Sequence, residues 1–307
     1  MSRRAWALFV AMCVIWGIPY LLIRVAVRDL SPGTLVFART GLGALLLLPV
    51  ALSRRALWPA LRRWRPMLAY TVVEVAVPWL LLSDAETKLS SSLTGLLVAA
   101  VPLVGVLIAR LLRSDDAVDR WRVAGLALGI VGVAALLGLD IGQVHALPIV
   151  EMGVVTVGYA VGPVILTRRL SDLPAIGVVT ASLAITALAY LPVAILDPPH
   201  RLPATAIASV ASLALFCTAV AFLVFFALIA EIGPARATVI TYVNPAVAIL
   251  LGVLLLGEDF TTGMAVGFPL ILAGSVLAAR RHRPAASPAG EPEVSAAAAA
   301  QTPQAPS

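Results

Sequence analysis

The sequence predicts an all-α polytopic membrane protein, with about ten transmembrane helices arranged as two inverted five-helix repeats. Three observations lead there. First, 61% of the 307 residues are hydrophobic and only 12% are charged, with a mean hydropathy of +1.00. A soluble domain carries about a quarter charged residues. Second, apolar stretches near the roughly 20 residues that a crossing needs recur along the whole chain. Third, the second half of the chain is a diverged copy of the first.

The crossings are expected near residues 6–27, 34–52, 66–84, 89–111, 122–139, 147–167, 175–196, 204–229, 237–256 and 263–279. The first follows Met1-Ser-Arg-Arg and lacks a clear small-residue cleavage site, so it reads as a retained helix and not as a signal peptide. Arginine sets the orientation. Arg54, Arg55, Arg62, Arg63 and Arg65 fill the loop after span 2, and Arg110, Arg113, Arg120 and Arg122 the loop after span 4. Arg3, Arg4, Arg168, Arg169, Arg236, Arg280, Arg281 and Arg283 fall on the same side, while the opposite loops hold only Arg28, Lys88 and Arg201. The positive side faces the cytoplasm. The expectation is therefore a multi-pass protein of the cell membrane with both termini cytoplasmic. The formal charge of +6 reflects this asymmetry and not a nucleic-acid partner, since no basic cluster interleaves with aromatics.

The duplication appears when Pro102 is laid on Pro245. Trp16 then meets Tyr159, Asp29-Leu30 meets Asp172-Leu173, and LLPVAL (47–52) meets YLPVAI (190–195). Asp115-Asp116 falls under Glu258-Asp259. One residue of slip after that turn places Gly125 on Gly267 and Gly132 on Gly274. Residues 1–140 and 141–283 form the two repeats. Five crossings is an odd number, so the second repeat enters from the other side, a ground plan of secondary transporters. Residues 284–307, rich in Pro, Ala, Ser, Glu and Gln, read as a disordered cytoplasmic tail.

Prolines point to a site. A proline inside a helix frees the carbonyl four residues earlier, and in lipid that carbonyl needs protein or a wet cavity. Pro19 and Pro163 interrupt the matching spans 1 and 6; Pro102 and Pro245 interrupt spans 4 and 9. Paired interruptions mark substrate sites near the midplane; the plainer reading is a packing kink. Glu74 lies in mid-membrane in YTVVEVAVPWLL, which costs about 2.5–3.5 kcal/mol on insertion scales. Such a carboxyl is a candidate proton carrier, or else a structural partner for Arg39. Arg39, in FARTGLG, is the arginine placed deepest in a span. It can neutralise an anionic substrate, pair with Glu74 or snorkel. Trp16, Tyr20, Tyr70, Trp79, Tyr159, Thr241 and Asn244 lie near the interruptions. Tyr70 and Glu74 are i, i+4, as are Trp16 and Tyr20, and so share helix faces. The plainer reading for most of these is interhelical packing and hydrogen bonding.

Other chemistries find little support. Cys13 and Cys217 have neither metal nor disulfide spacing. His145, His200 and His282 fall in loops or the tail. Asp115-Asp116-Ala-Val-Asp119 spells the D-D-x-x-D of membrane prenyltransferases, and clustered carboxylates suit Mg²⁺ with phosphate. A second aspartate-rich stretch is missing, and flanking arginines make a solvated loop the simpler reading. No phosphate-binding lysine loop, zinc-binding pair of histidines or serine-nucleophile motif occurs. No catalytic residue, metal or cofactor is expected. A non-transporting membrane scaffold remains as a third reading, without a partner-binding domain to support it.

Several segments together carry a resemblance: Pro78-Trp-Leu-Leu-Leu-Ser-Asp-Ala-Glu86, Ser90-Ser-Ser-Leu and Pro102 in the first half, and Ala227-Leu-Ile-Ala-Glu-Ile-Gly-Pro, Asn244-Pro245 and Leu256-Gly-Glu258 in the second. With Arg39 in span 2 and the glycine-spaced last helix, the chain resembles the EamA family of the drug/metabolite transporter superfamily over roughly residues 5–280. The resemblance implies alternating access around a central cavity lined by spans 1, 3, 4, 6, 8 and 9. It also implies export of amino acids or other small metabolites. Ser114-Asp115-Asp116 departs from the Gly/Asp-Glu pair common in the family, but at a loop position. The candidate substrate-binding set is Trp16, Pro19, Tyr20, Arg39, Tyr70, Glu74, Trp79, Pro102, Tyr159, Pro163, Thr241, Asn244 and Pro245. A proton is the candidate coupling ion, and a homo-oligomer is compatible with the sequence.

Overall fold

The computed structural model describes residues 2–111, 120–138, 146–199 and 201–278. No strand occurs among them. Among the described residues eight helices are long and apolar enough to cross a membrane: α1 (Arg3–Ala26), α2 (Pro32–Ser53), α3 (Trp64–Ala85), α4 (Ser91–Ile108), α6 (Ala146–Arg169), α7 (Ala175–Leu196), α8 (Ala204–Ile232) and α9 (Val239–Leu256). Two apolar helices are shorter: α5 (Arg120–Gly138) and α10 (Thr262–Ala278). Asp115, Asp116, Asp119, the three histidines and the expected tail lie outside the described residues.

The bundle is apolar outside as well as inside. Leu45, Leu196 and Leu254 are 65%, 83% and 68% exposed, and they stand on helices with no water-seeking face. Such a surface suits hydrocarbon and not water.

Among the described residues five helices are not continuous, and most breaks have a local cause. Proline lacks an N–H, so it is tolerated where a helix begins. Pro19 opens the second piece of α1 after a break at Trp16-Gly17. Pro102 opens the second piece of α4 after Ala99-Ala100. Pro245 opens the α-helical part of α9, whose first turn, Thr238–Tyr242, is a 3₁₀ helix. These prolines interrupt their spans, as expected, and restart helices rather than kink continuous ones. Pro163, by contrast, sits inside an unbroken α6. In α3, residues Thr71–Ala76 form a π-helix just ahead of Pro78. A second π-helix, Leu215–Val220, occupies the corresponding place in α8, where there is no proline.

Helix pairing follows the small residues. α5 and α10 make the most extensive packing, followed by α2 with α7. A Cβ on Gly125 would lie 2.4 Å from the Ala278 nitrogen, and one on Gly267 2.8 Å from the Gly132 carbonyl oxygen. The two backbones therefore touch, as small residues allow in membranes. α4 packs on α9 at Gly95, where a Cβ would stand 2.6 Å from that of Ala248. α3 packs on α6, and α1 on α8.

The turn after α9 reaches back to the start of α4. Gly257 takes the left-handed conformation, φ 66°, that ends α9. Glu258 then accepts from Ser91 N–H at 2.8 Å, from Ser92 N–H at 2.9 Å and from the Ser92 hydroxyl at 2.5 Å. A carboxylate at a helix N-terminus satisfies orphan donors and meets the positive end of the dipole. Partial burial pushes the Glu258 carboxyl up, but hydrogen bonds from Ser92 and Ser91 outweigh it and hold the group below the usual carboxylate range. A depressed folded-state value stabilises above the unfolded value and is lost as pH falls through the folded one. Glu258→Gln is expected to cost about 1–2 kcal/mol near neutral pH and to match the wild type once the acid is protonated, as read by thermal unfolding of purified protein.

Candidate functional site

The broken and π-helical segments bring polar groups together in an otherwise apolar bundle. Arg39 is the focus. It is only 8% exposed. Its Nε donates to Thr218 Oγ1 at 3.3 Å, and its guanidinium lies 3.7 Å from the centre of the Trp79 ring. Stacking of this kind stabilises a desolvated cation. Four titratable groups stand within electrostatic range of it: Cys217, Tyr159, Tyr20 and Glu86. Thr218 and Cys217 come from the π segment of α8, and Trp79 from α3 just after its own π segment. Residues from α1, α2, α3, α6 and α8 thus converge on one place.

Glu74 sits one step away. It belongs to the α3 π-helix and does not pair with Arg39. Its carboxyl lies against α6 in a niche made by glycine: a Cβ on Gly162 would fall 1.8 Å from Glu74 Oε2 and 2.8 Å from its Cβ. Gly158, one turn earlier, likewise accommodates the Val73 carbonyl oxygen, 2.5 Å from where a Cβ would be. Oε2 is sealed from solvent and has no hydrogen-bond partner among the described residues. Tyr159, on α6 between these glycines, lies within electrostatic range of Glu74, Arg39 and Glu86.

Of the sequence candidates, Tyr20, Arg39, Glu74, Trp79 and Tyr159 are gathered here. Trp16 and Tyr20, expected on one face, are separated by the break at Gly17. Trp16 packs on Phe222 and Phe225 of α8, with ring centres 6.1 Å and 4.7 Å away, whereas Tyr20 packs beside Gly95 of α4. Tyr70 packs with Met67, Leu170 and Val178. Asn244 and Pro245 serve the junction of α1 and α9. With its amide nitrogen turned inward, Asn244 donates to the Cys13 carbonyl at 3.1 Å and to the Ile240 carbonyl at 2.9 Å. Gly17 N–H bonds to Val14 O at 3.0 Å instead of closing an α turn on Cys13, so the amide replaces a donor that the break removed. Thr241 lies in the 3₁₀ turn. Pro19 and Pro102 are half-buried and Pro163 is exposed.

Sequence reasoning missed Thr218, Cys217, Gly158 and Gly162 as site residues. None of them stands out in hydropathy. An apolar cleft of about 300 Å³ between α2 and α7, lined by Gly41, Ala44, Leu45, Leu48, Leu57, Thr180, Ala184, Ala187 and Leu188, holds no charged group. It is not the site. Among the described residues no group of three or more His, Cys, Asp or Glu side chains could hold a metal ion.

The EamA-like transporter family matches residues 4–138 and again 150–280. The chain is 30% identical over 263 residues to the uncharacterized inner membrane transporter YedA of Escherichia coli, covering 83% of each chain. It is 23% identical over 283 residues to an uncharacterized transporter of Archaeoglobus fulgidus, covering 91% of this chain and all of the relative. A crystal structure with 21% sequence identity superposes with a TM-score of 0.64 over 91% of this chain and 97% of the other, which establishes a shared fold.

Proposed function

Because the chain belongs to the EamA-like transporter family, we propose that it is a secondary transporter that exports a small metabolite, such as an amino acid, by alternating access. The observation that carries the reading is the buried Arg39–Trp79–Thr218 stack at the meeting of interrupted helices. A desolvated guanidinium is costly to keep and matches the carboxylate of an amino-acid-like substrate. Tyr20, Tyr159 and Trp79 supply surfaces for its remainder.

The same proposal takes the chain as ten crossings in two inverted repeats, residues 1–140 and 141–283, with both termini cytoplasmic. Matching π segments in α3 and α8 support it, as do matching interruptions in α4 and α9. So does the pairing of α2 with α7, α4 with α9 and α5 with α10, each helix with its counterpart. The two repeats rock about the Arg39 centre, and Glu74 carries a proton between the two sides.

Metabolite analysis of the medium from cells expressing the chain tests the export reading. One metabolite class is expected to accumulate outside only with the intact protein; an unchanged medium overturns export. With that metabolite in hand, Glu74→Gln is expected to abolish the pH dependence of flux in sealed vesicles. Unchanged pH dependence removes the proton role from Glu74.

A further inference from the structure

A second carboxyl is more deeply buried than Glu74. Glu86 directly follows α3 and has no exposed surface. Neither of its carboxyl oxygens has a hydrogen-bond partner among the described residues. Arg24 would be the natural counter-ion. Its Nη1 donates instead to the main-chain carbonyl of Glu86. The other groups facing Glu86 are Tyr20 from α1, Arg39 from α2, Tyr159 from α6 and Glu258 from the turn after α9. Arg39 is engaged by Thr218 and Trp79. The Glu258 charge is engaged by the N-terminus of α4.

Buried carboxylates are found with partners or in the neutral form. Here the oxygens are acceptors without donors, so what completes them is a cation. We infer that Glu86 binds one small monovalent cation, a proton or Na⁺, where α1, α3 and the α9–α10 turn meet. Burial, the largest influence, drives the Glu86 carboxyl well above the usual range; Arg24 opposes it and Glu258 adds to it. Use of the cation for coupling rests on the transporter reading above; its binding does not.

Thermal unfolding of the purified full chain tests the binding without any transported substrate. A group held protonated in the folded state stabilises below its unfolded value, and that stability is lost as pH rises through the folded one. In choline chloride the wild-type midpoint is expected to fall by several degrees between about pH 5 and 9, and Glu86→Gln is expected to show a smaller fall, the remainder coming from Glu74. If sodium chloride restores the alkaline midpoint in the wild type but not in Glu86→Gln, the cation is Na⁺; if it does not, the cation is the proton. A Glu86→Gln protein that keeps the wild-type response overturns the inference. Where that variant does not fold, carbodiimide labelling of the wild type followed by peptide mapping decides, since the reagent attacks protonated carboxyls in apolar surroundings. Labelling at Glu86 that declines with rising pH, or that Na⁺ suppresses, supports the site. Labelling that never reaches Glu86 under either condition overturns it. A chain that exports nothing can still pass this test, and an exporter can fail it.

Discussion

Gly274→Leu is expected to abolish accumulation of folded protein. The Cβ of any residue at 274 would lie 2.5 Å from the Gly129 nitrogen, 2.6 Å from the Gly125 oxygen and 2.7 Å from the Gly129 Cα. All three neighbours are main-chain atoms, so no rotamer change relieves the clash. The two helices must part, and the most extensive interface in the bundle opens with them. Overpacking a core by a few methylenes costs about 1–3 kcal/mol. Separating two backbones goes beyond that range, against a total stability of about 5–15 kcal/mol. Gly105→Ala and Gly153→Ala are the controls, because an added Cβ there meets nothing within 4 Å. They are expected to be neutral or slightly stabilising, since alanine is the better helix former. Size-exclusion profiles and thermal midpoints of the three variants give the comparison. A monodisperse Gly274→Leu protein with a wild-type midpoint refutes the backbone contact.

Arg39→Gln is expected to separate function from stability. Removing the guanidinium takes away the stack on Trp79 and the bond to Thr218. It also removes a buried charge that has no ion-pair partner among the described residues and whose desolvation is costly. The thermal midpoint should therefore hold or rise, while flux of the exported metabolite falls more than tenfold at matched membrane abundance. That factor corresponds to about 1.4 kcal/mol, less than a charged hydrogen bond to substrate contributes. Arg39→Lys keeps the charge but loses the planar stack and the fixed fork of donors, so an intermediate flux is expected. If flux is unchanged in Arg39→Gln, the stack is structural and the substrate binds elsewhere. If the midpoint collapses as well, Arg39 holds the bundle together and the lost flux carries no information about the site.

Where the helices lie was legible from hydropathy. The expected 175–196 coincides with Ala175–Leu196, and 34–52 falls within Pro32–Ser53. Length is the signal that lipid imposes, so length is what survives in the sequence. Which face of each helix turns inward was not legible. A helix in hydrocarbon is apolar toward its neighbours and apolar toward lipid, so the 3.6-residue contrast that marks a core face in water is missing. Arg39, Glu74, Trp79 and Tyr159 could be singled out because charge and aromaticity are conspicuous in mid-membrane. Thr218 could not, because its hydroxyl is silent in an apolar run. Gly158 and Gly162 act through the side chain they lack. Glu86 was read as the end of a family motif; its burial depends on helices far away in sequence. The prolines announced the restarts of α1, α4 and α9, but the π segment of α8 has no residue of its own to announce it.

The π segments also bear on what these helices can do without tilting. A π turn carries one residue more in each hydrogen-bonded ring than an α turn. The extra residue can migrate along the helix by exchanging one backbone hydrogen bond at a time. Each residue it passes is rotated about the axis by roughly 100°. Glu74 and Thr218 both lie within such segments. One step of migration in α3 would replace the side chain facing Gly162 with its neighbour, and one step in α8 would do the same for the side chain facing Arg39. Because α3 and α8 each carry such a segment, the position of the extra residue decides which of their side chains, Glu74 and Thr218 among them, face the centre of the bundle.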